Sequence, residues 1–90
     1  MNIPYIPKER REEYDQERQE LVNKLLPSGF LAPDLTYVIY KLIKELCDRE
    51  GYTWKAKATA LMVLEAVKLE YYDKVIKPYE REAIKKSGDI

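Results

Sequence analysis

From Leu35 to Cys47 the apolar residues Leu35, Val38, Ile39, Leu42, Ile43, Leu46 and Cys47 step by three and one, the spacing of one face of an α-helix turned toward a core. Pro33-Asp34 suits the first turn of that helix, since proline needs no donor there and a carboxylate meets the positive end of the helix dipole. Gly51 supplies the left-handed residue that closes it. Cys47 lies on the stripe and reads as a small, chemically quiet core residue.

The flanking segments carry the same helical signals. Pro7 opens a first helix over residues 7–26, which ends at the breaker cluster Pro27-Ser28-Gly29. Its two halves differ. From Lys8 to Glu20 every residue except Tyr14, Gln16 and Gln19 is charged, so this half is expected to rest on charge pairs among Glu13, Glu17, Arg10, Arg11 and Arg18, each worth ~0.2–0.5 kcal/mol. Leu21, Val22, Leu25 and Leu26 then form a short apolar stripe. A third helix opens after the N-cap candidate Thr53 and reaches at least Lys77. Pro78 follows, where the chain either kinks or starts a short fourth helix to Lys86, stopped by Ser87-Gly88.

The expected fold class is therefore all-α: three main helices plus a short C-terminal one after Pro78, a small helical bundle in a single domain over residues 1–90. Residues 1–7 form an extended, proline-bearing arm and residues 87–90 a tail. Tyr5 and Ile6 make the arm a hydrophobic strap or, alternatively, an arm exchanged with a neighbouring subunit. About 25 residues of third helix span roughly 37 Å, more than the ~31 Å diameter of a compact chain of this size. Its overhanging apolar residues need cover, so a homodimer or higher homo-oligomer is expected.

Charge and residue usage narrow the chemistry. Sixteen basic and sixteen acidic side chains cancel, and neither sign forms a block that would neutralise a phosphate backbone, which argues against a nucleic-acid partner. Histidine is absent, so histidine triads, His-paired thiols and His-based zinc sites are excluded. The usual proton shuttle near neutral pH is missing, which favours a non-enzymatic protein. No calcium-loop or Glu-x-x-His pattern is present, so neither a metal nor another cofactor is expected. The longest apolar run, around Ala58–Leu64, falls far short of the roughly 20 residues of a membrane span. Without a signal-peptide pattern, and with the single Cys47, a cytoplasmic protein is expected.

Two features stand out as binding candidates. Projected at ~100° per residue, the third helix places Leu61, Leu64, Leu69, Tyr71, Tyr72, Val75 and Ile76 on one stripe, with Glu65 and Lys68 inside it. These two charges read either as an i, i+3 ion pair or snorkelling side chains, or as a desolvated site within the bundle or at a dimer seam. The chain also holds eight tyrosines against one phenylalanine. Tyrosine joins a large flat face to a polar tip, which suits core edges and interfaces alike. Glu65, Lys68, Tyr72, Tyr37 and Tyr79 are accordingly the candidate ligand- or partner-binding residues.

The stretch Leu64–Tyr72, the following Pro78-Tyr79-Glu80, the ending Ser87-Gly88-Asp89-Ile90, the arm Ile3–Pro7 with Arg10-Arg11, and Leu35–Ile39 together resemble a family of small uncharacterised proteins encoded in phage and prokaryotic genomes. The resemblance covers almost the whole chain. It carries over no catalytic or binding residue. Asp73-Lys74 stands where such proteins have two arginines, so an anion site built on those arginines is not expected here. The resemblance implies a phage or mobile-element gene whose product acts on a host component. The function expected is a helical interaction protein with itself and another protein as partners. The alternatives are a binder of a nucleotide-like small molecule that sequesters a host signal, and a DNA-binding accessory protein.

Overall fold

Pro27, Ser28 and Gly29 do stop the first helix, and the chain is helical on both sides of them. The computed structural model describes residues 6–49 and 51–88. In it α1 spans Lys8–Leu25, α2 spans Leu31–Asp48, α3 spans Trp54–Tyr71, a π-helical turn covers Tyr72–Ile76, and α4 covers Lys77–Ser87. No strand occurs among the described residues, and the protein is all-α. Of the expected arm, Met1–Tyr5 lie outside the described residues, as do Asp89 and Ile90 of the tail. The chain divides into two compact units, Met1–Leu46 and Cys47–Ile90.

In the first unit, α1 begins at Pro7, whose extended backbone (φ −56°, ψ 146°) lets its carbonyl accept from the Arg10 amide at 2.9 Å. Arg11 donates from Nε to the Ile6 carbonyl at 3.2 Å. The charged half of α1 is held differently from expectation. Its support comes from the Asp15–Arg18 pair at 3.5 Å and from the amide contacts Gln16 to Glu20 and Gln19 to Asn23, at 3.2 and 3.0 Å. One-turn spacing, rather than charge alone, selects these partners.

The start of α2 also differs: it lies at Leu31, ahead of the expected Pro33-Asp34. Proline is tolerated throughout a first turn, because none of those amides has an intrahelical acceptor. Ser28 builds the earlier start. Its Oγ accepts from the Phe30 amide at 3.0 Å and donates to the Asp34 carboxylate, while the Asp34 amide donates to the Phe30 carbonyl at 3.1 Å. The apolar stripe of α2 follows the predicted period, with Lys41 and Glu45 paired across one turn at 3.6 Å. Cys47 is a free thiol and half-buried rather than buried, because the stripe it belongs to is itself largely uncovered in the single chain.

In the second unit Gly51 stands at φ 100°, its amide donating to the Asp48 carbonyl at 3.1 Å. Thr53 caps α3 as its sequence position predicts: extended backbone, with Oγ1 accepting from the Ala56 amide at 3.2 Å. Lys57 lies over the Tyr52 ring at 4.1 Å, which fastens the entry turn to the helix.

The short C-terminal helix expected at Pro78 is α4, joined to α3 through the π turn rather than separated by a break. Residues 54–87 stay helical without interruption, a rod of roughly 50 Å at ~1.5 Å per residue. The ladder widens just before the proline: the Lys77 amide donates five residues back to the Tyr72 carbonyl. Lys77 is the last donor before Pro78, and Pro78 then falls in the first turn of α4, where a missing amide is tolerated. Lys77 itself keeps right-handed helical angles (φ −57°, ψ −48°). Gly88, at φ 81°, ends the rod, its amide donating to the Ile84 carbonyl at 2.7 Å.

Candidate functional site

The character of α3 is set by the run Leu61-Met62-Val63-Leu64. Successive residues turn ~100° about the axis, so four in a row reach every side of the helix. Ala66, Val67 and Leu69 repeat the pattern one turn on. The single stripe expected for this helix is thus too narrow: Met62, Val63 and Val67 project away from it. Such a helix ordinarily lies at the centre of a core. Here Leu61 is 60% exposed and Val67 63%, and Ala56, at 4%, is the one buried apolar residue among those described.

Glu65 and Lys68 lie in this apolar belt, one turn apart. Lys68 Nζ stands 3.8 Å from Glu65 Oε1, with the side chains 75% and 49% exposed respectively. That separation is an ion pair without a direct hydrogen bond, so both head groups retain bonding capacity. Lys68 also borders a shallow groove of about 390 Å³ formed with Val67, Leu69, Tyr71, Tyr72 and Ile76.

Tyr72 occupies the first residue of the π turn. Its hydroxyl reaches Glu80 Oε2 at 3.5 Å, a partner that sequence reasoning missed. In a plain α-helix the residue seven positions on lies above Tyr72; the extra residue of the wide turn brings the eighth there instead. Tyr79, the neighbouring candidate, is exposed and takes no part in that contact. Across the same turn, Asp73 pairs with Lys74 at 3.7 Å and Lys77 at 3.4 Å, and Glu70 with Lys74 at 3.0 Å. Carboxylates therefore stand beside both lysines of this stretch.

Tyr37 belongs to the first unit and is exposed on α2. It lines a groove of about 430 Å³ with Leu21, Lys24, Leu25, Asp34 and Val38, at the corner where α1 turns into α2. At the same corner Val22, Leu25, Leu26, Ser28, Leu31 and Leu35 line a largely apolar groove of about 280 Å³. The second unit thus joins Glu65 to Lys68, brings Lys68 beside Tyr72, and links Tyr72 to Glu80; Tyr37 stands in the first.

Among the described residues, no three acidic or thiol side chains converge as a metal site would need, and no helix is long and apolar enough to cross a membrane. Residues 3–90 match the family described as a domain of unknown function, DUF6899. The chain belongs to that family. The match takes in all the helices of the DUF6899 chain. No curated protein and no solved structure matches it.

Proposed function

We propose that this chain is a non-enzymatic helical interaction protein, which completes its apolar core with further copies of itself and acts by holding another protein. The observation that carries this reading is the circumference of α3. A helix whose middle turn carries apolar residues on every side needs neighbours on every side there. Against that need the chain offers one full stripe, on α2, and the short stripe Leu21, Val22, Leu25 and Leu26 on α1. A second copy supplies more of the same surface. The resemblance to phage and prokaryotic proteins adds the setting of a mobile-element gene acting in the cytoplasm on a host component.

Light scattering at micromolar concentration tests the core of the proposal. A mass of two or more chains is expected, and a single-chain mass rejects it. A second reading, a binder that sequesters a nucleotide-like host signal, draws on the groove where Lys68 stands beside the Tyr71 and Tyr72 rings, a cation next to stacking surfaces. Such a binder would release absorbing material on denaturation and melt at higher temperature with nucleotides. Neither effect is expected of a pure interaction protein.

A further inference from the structure

The two charges in the apolar belt of α3 have a symmetry that a lone helix has no use for. Ala58, Leu61, Glu65, Lys68 and Tyr72 follow one another by three and four in strict alternation, the spacing of a coiled-coil seam. Up to the π turn they lie within an arc of about 80° at ~100° per residue. Reversing the order about the midpoint between Ala66 and Val67 maps Leu61 onto Tyr72 and Glu65 onto Lys68. Leucine meets an aromatic ring, and each charge meets its opposite.

We infer that α3 pairs antiparallel with α3 of a second copy about a two-fold axis at this midpoint, so that Glu65 of each chain reaches Lys68 of the other. In a two-fold interface every contact occurs twice, which makes a palindromic seam self-complementary. A parallel pairing would instead set Glu65 against Glu65 and Lys68 against Lys68. The intrachain geometry leaves room for the second partner, since the 3.8 Å pair makes no direct hydrogen bond and both side chains are exposed. Covering the seam desolvates the charges at a cost that a correct pairing offsets and every other register leaves uncompensated. The remaining sides of α3 fall to other helices of the assembly.

This inference rests on the self-association reading above, and charge exchange separates the two. The full-length chain is made with Glu65→Lys, with Lys68→Glu and with both, and masses are measured by light scattering. Each single variant sets like charges together twice at the seam and is expected to drop to the single-chain mass. An equal mixture of the two single variants is expected to recover the wild-type mass, because one chain then brings two basic side chains to the centre and the other two acidic ones. The doubly exchanged chain, which keeps every pair opposite, is expected at the wild-type mass.

Mixing leaves each chain's own like-charged neighbours in place. Single variants that fall apart and are not rescued by mixing would therefore mean that the pair works only within its helix, and the seam is rejected. Single variants that keep the wild-type mass also reject the seam while self-association stands, as does a double variant that loses it. A wild-type chain at single-chain mass removes the self-association reading and the seam with it.

Discussion

Gly51 holds φ at 100° where α2 gives way to the turn before α3. Among the described residues a Cβ added there meets only Thr53 Cγ2, at an ordinary contact distance of 3.9 Å, so the demand for glycine is one of backbone angle. Gly51→Ala is expected to cost about 1–2 kcal/mol, the penalty of a left-handed L-residue, read as a lower urea midpoint with unchanged slope. An unchanged midpoint would mean that the turn can relax to negative φ. At this scale residues whose roles follow from local chemistry were legible in sequence: Gly51 as a helix terminator, Thr53 as a cap, Glu65 with Lys68 as an i, i+3 pair. Ser28 was not, because its role depends on Phe30 and Asp34 returning to it across a turn. Cys47 was read as buried from its place on a stripe, but a stripe says only which way a residue points. It does not say whether anything lies opposite.

The π turn shows why element boundaries resist sequence reading. Local preference at Pro78 favours a break, since proline disfavours helix at the preceding residue and lacks a donor. The chain instead relocates the defect: a five-residue ladder bond ends on Lys77, and Pro78 enters α4 as a first-turn residue. Nothing in the spacing of apolar residues announces this, and the Tyr72–Glu80 contact that depends on it was hidden for the same reason. Pro78→Ala restores an amide that can donate to Lys74 and removes the reason for the wide turn. The variant is expected to gain stability, by less than the ~3 kcal/mol that a proline costs in a helix interior, because Pro78 already sits where proline is tolerated. Slower amide exchange over residues 72–77 should accompany the gain, and Tyr72 should lose Glu80 as the following residues rotate by one position. A stability equal to or below wild type would show that the wide turn has a cause other than the proline.

For the molecule as a whole, partnership was expected from length alone, a third helix too long for its own globule. The stronger reason lies in how apolar residues are distributed around α3. Leu61, Leu64 and Leu69 define one stripe, while Met62, Val63 and Val67 occupy the remaining sides. If those sides are covered by other copies, folding and association are a single equilibrium, and stability must depend on protein concentration. For a dimer each tenfold dilution removes about 1.4 kcal/mol. On a domain of this size that shift lowers the melting temperature by several degrees. Leu61→Glu separates this from ordinary destabilisation. On an exposed face of a solitary helix the exchange would be nearly neutral, since glutamate forms helix almost as well as leucine. At a covered seam it forfeits the ~1.5–3 kcal/mol of burying a leucine in each chain and adds the cost of a desolvated carboxylate. The expected outcome is a wild-type melting temperature that climbs with concentration between micromolar and millimolar, and a Leu61→Glu chain that melts lower and is insensitive to dilution. A wild-type melting temperature independent of concentration, together with a neutral Leu61→Glu exchange, would mean that α3 finds its cover within its own chain or does without it.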